Sequence, residues 1–347
     1  MPSEISRRIK QSGRVLLKGS PTASAKREVP AITLEEVAEA KEFFPLEKFF
    51  IFGHARSGTT LLTRLVRVHN KVHCNYQAHF FTRYPTLESL VDDESIGLWL
   101  ARRSNRWNQG RDLSPLVLRA TSDFIMERDA HSAGKGDPGC LVGDKSPNSL
   151  LDGEAVHRLV KVYPDARLIF IVRDGRDALI SHRFQAFIDN PQSLSKEDLR
   201  IRDNFSQEPE QFYTGQRSLF TEKSLRRGAQ GWMRNVTETD LAAKERLADR
   251  YHHLRYEDLL DDPQCEMIDV WRFLGVDTDD PTIKDALDTE LALNPDAEWQ
   301  RKKAGDIAGA LEKGKSGSWR ELLTTRDKEI YWEEAGNALK AWGYVEQ

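Results

Sequence analysis

The chain has 347 residues, of which 39% are hydrophobic and 31% are charged. This composition predicts a globular protein with enough apolar side chains for a core. The net charge of −4 argues against general nucleic-acid binding, so we expect no nucleic-acid partner.

The sequence shows neither a metal-binding pattern nor a hydrophobic anchor. Cys74, Cys140 and Cys265 lie far apart, without the spacing of metal ligands, and they predict reduced thiols and no bound metal. Near the N-terminus the apolar run at 15–17 is too short for a signal peptide or a membrane anchor. We therefore expect a cytoplasmic protein without a membrane anchor.

Predicted helices and strands alternate along the chain. Residues 1–31 are polar and basic without periodicity and predict a mobile tail, and a capping-box pattern from Thr33 to Glu36 opens the first helix. Strands are predicted at 49–53, 72–75, 167–173 and 251–256. Further helices are predicted at 59–69, 86–104, 113–131, 153–163, 177–189, 224–247, 263–274 and 326–341. This order predicts an α/β fold, in which one domain over residues 32–347 holds a parallel sheet of about five strands flanked by helices.

Residues 184–224 form a polar insertion between two predicted helical segments. Asp189-Asn190-Pro191 and Glu208-Pro209-Glu210 interrupt helical periodicity there. Because long connections often serve as recognition elements, we expect a lid or an acceptor-side insertion.

The segment from Gly53 to Thr60 follows an apolar strand and precedes an apolar helix. Its glycines let backbone N–H groups turn inward, and Ser57, Thr59 and Thr60 add hydroxyl donors at the helix N-terminus. The spacing matches the start of the triphosphate loop G-x-x-x-x-G-K-[ST], with Thr59 in place of the lysine. Without that lysine the loop suits the β- and γ-phosphates of ATP poorly, whereas Arg56 offers a guanidinium to a phosphate or sulfate oxygen.

A second buried strand, at 167–172, runs into a similar loop. Its sequence is Arg173-Asp174-Gly175-Arg176-Asp177, and Ser181 follows Arg173 by eight residues. The segment therefore predicts a loop that opens a helix after a buried parallel strand.

Together the two segments resemble the donor-binding motifs of the sulfotransferase family, in the style of its bacterial and tyrosylprotein-type members. The resemblance covers roughly residues 45–344. It implies a fold like that of P-loop proteins and transfer of a sulfuryl group from 3′-phosphoadenosine 5′-phosphosulfate (PAPS) to a hydroxyl or amine, without a metal. It also implies that the 5′-phosphosulfate is held by Arg56, Ser57, Gly58, Thr59 and Thr60. The 3′-phosphate is then held by Arg173 and Ser181.

Three weaker matches follow in the order that the family has. The segment 143–148 contains Lys145 and resembles an Asp-Lys-x-Pro motif, and 254–259 contains Tyr256 and resembles an Arg-Tyr-Glu-Asp-Leu strand end. The segment 312–320, with Lys313 and Gly314, resembles the loop that closes over the nucleotide, although Glu312 replaces an arginine. The resemblance implies that Tyr256, Lys313 and Gly314 contact the donor.

Catalysis needs cations and a base. Charge develops on the bridging oxygen as the S–O bond breaks, so Arg56 and Lys145 are the candidate catalytic cations. Related sequences carry a glutamate base where this chain has Tyr76 or Gln77, neither of which accepts a proton at neutral pH. His79 is the nearest replacement, and His54 is the second candidate.

Two other functions compete with sulfuryl transfer. An ATP-dependent kinase would use Asp174 near Mg²⁺, but Thr59 in place of the lysine argues against it. A nucleotide-binding module without catalysis would fit the missing glutamate and Glu312. The sequence leaves the acceptor open among carbohydrate, lipid, small alcohol and peptide tyrosine, and it leaves the oligomeric state open as well.

Overall fold

The computed structural model of the protein describes residues 28–82, 86–293 and 316–346. Its centre is a sheet of five strands in the order β2-β3-β1-β4-β5, and every neighbouring pair is parallel. The strands are β1 (Glu47–Gly53), β2 (Val72–Tyr76), β3 (Leu141–Lys145), β4 (Arg167–Val172) and β5 (Tyr251–Arg255). The predicted α/β fold with a parallel sheet of about five strands is confirmed.

The sequence did not predict β3. Gly143, Asp144 and Lys145 are poor strand formers, so the local signal is weak. Pairing with β1 on one side and β2 on the other supplies the hydrogen bonds that the local sequence does not favour. As a result, Asp144 and Lys145 lie at the carboxyl edge of the sheet.

Helices flank this sheet. In chain order they are α1 (Leu34–Phe43), α2 (Thr59–Val66), α3 (Thr86–Asp92), α4 (Glu94–Ala101), α5 (Ser114–Ser132), α6 (Gly153–Val162), α7 (Gly175–Asp189), α8 (Lys196–Gln207), α9 (Pro209–Tyr213), α10 (Glu222–Leu247), α11 (Tyr256–Asp261), α12 (Pro263–Leu274), α13 (Thr282–Ala292), α14 (Trp319–Leu322) and α15 (Thr325–Ala341). Short 3₁₀ turns occupy Pro191–Ser193 and Ala248–Arg250. Among the described helices, none has the length and hydropathy to cross a bilayer.

The single helix predicted over 86–104 is wrong. Two helices, α3 and α4, occupy this segment because Asp93 starts a new one. Its Oδ1 accepts hydrogen bonds from the backbone N–H groups of Ser95 at 2.9 Å and Ile96 at 3.1 Å, as an N-cap does. Helix α13 has no counterpart among the predicted elements.

Most of the segment 184–224 is helical and contributes to the core. Ser195 caps α8 through a 3.1 Å hydrogen bond from Asp198 N, and the aromatic side chains of Phe205 and Phe212 are buried with ring centroids 5.4 Å apart. A lid role for this segment stays a prediction.

The apolar run in β1 supports both layers of the core. Phe50 and Phe52 pack into the layer with α5, α6 and α10, whereas Phe49 and Ile51 pack into the opposite layer with α2 and α12. All four side chains are buried, and each stabilises the fold by about 1.5–3 kcal/mol on burial. A strand buried on both faces fixes the position of the loop that follows Gly53.

Candidate active site

The loop between β1 and α2 presents backbone N–H groups at the carboxyl edge of the sheet. Gly58, the residue before α2, has a φ of 85°, and a Cβ there would overlap the Tyr256 ring, so the site requires glycine. No described side chain caps α2. Its first N–H groups are therefore available to an anion, which the helix dipole also favours.

Ser57 adds a buried hydroxyl to this loop. Its side chain is fully buried, and its Oγ has no hydrogen-bond partner among the described residues. A buried hydroxyl without a hydrogen-bond partner costs free energy unless a bound group supplies that partner. The loop is thus suited to a ligand that brings oxygen atoms to Ser57, as a phosphosulfate does.

The two sequence motifs meet in the folded protein. Arg56 Nε donates to Ser181 Oγ at 3.0 Å, and Arg173 Nη1 donates to the Arg56 carbonyl at 3.2 Å. The Arg173 guanidinium carbon lies 4.7 Å from the centroid of the Tyr256 ring. Four residues that the sequence predicts to bind the nucleotide therefore share one surface, on which guanidinium and hydroxyl groups lie close together.

Lys145 reaches the other side of the same loop. Its side chain is almost completely buried, and Nζ lies 3.4 Å from Thr60 Oγ1 and 5.0 Å from the Tyr76 ring centroid. The strand end that carries it is fixed to β1 by the 3.0 Å hydrogen bond from Ser146 N to the Ile51 carbonyl. A buried ammonium beside the first turn of α2 raises the positive potential of the loop.

Asp144, which the sequence analysis did not single out, organises the loop after β2. Burial raises its pKa to about 6, against the opposing effect of hydrogen bonds from Ser146 and Ala78. Its Oδ1 accepts from Ala78 N at 3.0 Å, and its Oδ2 accepts from Ser146 Oγ. The position of Asp144 directly before Lys145 in the sequence is the signal that could have indicated this role.

His79 lies beside this network. Its backbone N–H donates to Ser146 Oγ at 3.0 Å, its ring Nδ1 lies 2.9 Å from Thr82 Oγ1, and its φ is 53°. Burial and the nearby Lys145 charge lower its pKa, so the ring is neutral and able to accept a proton at pH 7.

His54, the second candidate base, is buried within the phosphate loop. Burial, with a smaller effect from His182, lowers its pKa to about 3. Its Nδ1 has no hydrogen-bond partner in the described part of the chain. Such a weakly basic ring is less suited than His79 to take a proton near neutral pH.

The loop before α14 is attached directly to α7. The buried Asp177 carboxylate accepts from Gly317 N at 2.6 Å and from Trp319 N at 3.0 Å. Trp319 is buried, with the Arg176 guanidinium carbon 3.4 Å from its ring centroid. The predicted ligands Lys313 and Gly314 lie outside the described residues, so these contacts define only the end of their loop.

A second carboxylate network fixes the turn that carries Arg173. Glu257 Oε1 accepts from Asp174 N at 3.1 Å, and its Oε2 accepts from the Tyr344 hydroxyl at 2.7 Å. Asp174 in turn accepts three side-chain hydrogen bonds from Arg176, at 2.9, 3.2 and 2.7 Å. Asp174 thus has a structural partner at this site, which gives no support to its assignment as a magnesium ligand.

The site as a whole can hold two anionic groups, one in the loop after β1 and one between Arg173 and Ser181. Within residues 28–82, 86–293 and 316–346, no cluster of three or more His, Cys, Asp or Glu side chains is arranged for a metal ion.

Known proteins are similar to this chain in sequence. A profile described as "Sulfotransferase family" matches residues 48–280. Protein-tyrosine sulfotransferase A of Caenorhabditis elegans is 32% identical over 127 residues, covering 37% of this chain and 30% of the relative. The protein-tyrosine sulfotransferase of Drosophila melanogaster is 30% identical over 129 residues, covering 37% of this chain and 23% of the relative. The matched part thus spans less than a third of either curated relative.

A solved structure of a mouse sulfotransferase complexed with PAP is also similar. Its TM-score is 0.45 at 17% identity, covering 89% of this chain and 94% of that chain. The family profile covers two thirds of the present sequence and includes both strand-end motifs, from β1 through α12. The chain belongs to the sulfotransferase family.

Proposed function

We propose that this protein transfers a sulfuryl group from PAPS to a hydroxyl or amine acceptor. The observation that carries the proposal is the junction of Arg56, Ser181 and Arg173, which joins a phosphate loop without the ATP-binding lysine to a second anion site. A donor with phosphates at both ends of one nucleoside matches two such sites.

The proposed donor-binding roles follow from these contacts. The N-terminus of α2, Ser57 and Thr60 would hold the 5′-phosphosulfate, since they combine unpaired backbone N–H groups with hydroxyls. Arg173 and Ser181 would hold the 3′-phosphate through charge-assisted hydrogen bonds. The Tyr256 ring under Arg173 keeps the guanidinium in place.

Transfer requires attack of the acceptor oxygen or nitrogen on sulfur. The bond between sulfur and the bridging oxygen breaks, its electron pair stays on that oxygen, and adenosine 3′,5′-bisphosphate leaves. Lys145 and Arg56 would stabilise the developing negative charge from fixed positions beside the loop, which lowers the barrier without reorganisation. The acceptor proton would pass to His79.

The acceptor that we propose to test first is a phenolic hydroxyl. The curated relatives are named as protein-tyrosine sulfotransferases. The resemblance of the motifs places Tyr76 or Gln77 of this chain at the position of a glutamate base. A phenol, with a pKa near 10, needs less help from a base than a sugar hydroxyl does. Carbohydrates, lipids and small alcohols are the alternative acceptors in the same assay.

The cytoplasmic location of the protein stays a prediction.

Thermal shift separates the candidate functions. Adenosine 3′,5′-bisphosphate should stabilise the protein more than ATP with Mg²⁺, because ATP has no phosphate to occupy the Arg173 and Ser181 site. Transfer of radiolabelled sulfate from PAPS to a tyrosine peptide, a simple phenol and a sugar then tests the enzyme. Stabilisation by the bisphosphate without transfer to any acceptor would support the inactive module, and stronger stabilisation by ATP would support the kinase.

A further inference from the structure

Large apolar side chains are exposed together on α4 and on the loop that follows it. Ile96, Leu98, Trp99 and Trp107 are between 45% and 59% exposed. The ring centroids of the two tryptophans lie 4.7 Å apart with their planes 33° from parallel. The two indoles therefore form one apolar surface, which we call the Trp99 surface and define by Trp99 and Trp107. Exposed apolar groups of this kind mark interaction sites in soluble proteins.

Hydrogen bonds from two asparagine side chains to backbone carbonyls hold the loop that carries Trp107 against α4. Asn105 Nδ2 donates to the Trp99 carbonyl at 3.0 Å, and the buried Asn108 donates from Nδ2 to the Leu100 carbonyl at 3.1 Å. Leu100 is itself buried in the core. The Trp99 surface is thus presented by an ordered loop tied to α4.

Three arginines are in the loop that carries Trp107. Arg102, Arg103 and Arg106 are exposed, and none of them forms an ion pair with a residue that the structure describes. Asp93 and Glu94, the acidic residues at the start of α4, lie at the end of the helix opposite to these arginines. Eight residues of helix separate Glu94 from Arg102 by about 12 Å, which exceeds the screening length at physiological salt.

Tryptophan beside unpaired arginine suits a charged interface between water and lipid. Indole rings prefer the headgroup region of a bilayer, and arginine is attracted to anionic headgroups while its stem stays in apolar contact. The chain as a whole is acidic, so a local cationic surface would orient it on an anionic membrane. We propose that the Trp99 surface and the three adjacent arginines bind the surface of an anionic lipid bilayer.

Vesicle sedimentation tests this proposal with the full chain. The probes are phosphatidylcholine vesicles with and without about one third phosphatidylglycerol, at low salt and at about 0.5 M salt. We expect binding to the anionic vesicles only, and loss of that binding at high salt. The triple variant Arg102→Gln, Arg103→Gln, Arg106→Gln should reduce the partition coefficient about 100-fold, since each arginine near an anionic surface contributes about fivefold.

The apolar contribution and the controls use other variants. Trp99→Ala combined with Trp107→Ala should reduce partitioning at least about tenfold, because two interfacial indoles are lost. A matched control, Lys223→Gln, Arg227→Gln, Arg234→Gln on α10, removes the same charge from exposed cations that also lack ion pairs with described residues. Leu241→Ala, at an exposed leucine on α10, controls for the loss of apolar surface.

Several results would overturn the proposal. The partition coefficient could fall equally in the α10 triple variant and in the variant with Arg102, Arg103 and Arg106 replaced. That result would show that total charge, including the basic N-terminal sequence, drives binding to vesicles. Absence of binding to anionic vesicles would remove the membrane assignment outright. A wild-type dimer that Trp99→Ala, Trp107→Ala converts to a monomer, without vesicle binding, would assign the surface to contact between two copies.

Discussion

Arg56 and Ser181 are 125 residues apart in sequence and are joined by a 3.0 Å hydrogen bond from Nε to Oγ. This contact places the loop after β1 and the first turns of α7 on one surface. Because Arg173 also binds the Arg56 carbonyl, a ligand that moves one of these groups changes the surroundings of the others. The two candidate anion-binding groups are therefore connected by hydrogen bonds through Arg56.

Arg173→Ala should weaken binding of adenosine 3′,5′-bisphosphate by about 2 kcal/mol or more, because truncation leaves the bound phosphate without its charged partner. Isothermal titration calorimetry measures this loss. The variant should also discriminate little between the bisphosphate and adenosine 5′-phosphate, which wild type should separate clearly. The control Arg227→Ala, at an exposed arginine on α10, should bind as wild type does. Unchanged affinity in folded Arg173→Ala would exclude Arg173 as the 3′-phosphate ligand.

Lys145→Ala should lower kcat by about 100-fold or more, on the scale of one lost donor to a developing anion. The buried position of Nζ beside Thr60 is the reason, since a fixed ammonium stabilises charge that appears only during transfer. Steady-state kinetics with varied PAPS separates this effect from binding. A raised KM with unchanged kcat would reassign Lys145 to ground-state binding. Lys223→Ala serves as the exposed control on α10.

Asp177→Asn should loosen the backbone at Gly317 and Trp319, because an amide offers one accepting oxygen where the carboxylate offers two. A hydrogen bond to a charged group contributes about 1.5 kcal/mol or more, so exchange of these amide hydrogens should become about tenfold faster. Hydrogen exchange detected by mass spectrometry gives the readout. Asp249→Asn, at an exposed aspartate, should leave exchange in this region unchanged. Equal protection in both variants would show that Asp177 does not hold the loop.

The strand-end motifs were predictable because the carboxyl ends of parallel strands share one edge, so Arg56, Arg173 and Ser181 had to lie near one another. The hydrogen bonds of Asp177 were not predictable in the same way. They join residues about 140 positions apart, and nothing in the local sequence distinguishes an aspartate that holds a distant backbone from one that pairs with a neighbouring arginine. Strand β3 was missed for a related reason, since its polar residues form a strand only between two established neighbours.

Asp144→Asn should remove a pH-dependent part of the stability. Burial raises the pKa of Asp144 to about 6, above the ordinary value of 3.8. An acid with a raised folded pKa contributes stability that is present below pH 3.8 and is lost as the pH rises through 6. Two pKa units correspond to about 3 kcal/mol, so the free energy of unfolding should fall less between pH 4 and 7 in Asp144→Asn than in wild type. Denaturant unfolding across that range measures the difference, and parallel curves for the two proteins would contradict the raised pKa.

His79 should appear as the base in the pH dependence of transfer. Burial and the Lys145 charge lower its pKa, so kcat/KM should rise with pH through an apparent pKa below 6.5. If His54 were the base, this rising limb of the kcat/KM profile would instead lie near pH 3, because burial lowers the pKa of His54 to about that value. His79→Ala should remove the limb and cut the rate by roughly 10²- to 10⁴-fold.

Two variants separate proton transfer from local structure. Thr82→Val removes the hydroxyl that lies 2.9 Å from Nδ1 but keeps the imidazole, so it should shift the limb while retaining most of the activity. His131→Ala, at an exposed histidine on α5, should leave both the limb and the rate unchanged. If the limb persists in His79→Ala at a similar rate, His79 is not the base. In that case transfer to a phenol should exceed transfer to a sugar hydroxyl by a wide margin, because the more acidic acceptor loses its proton with less assistance.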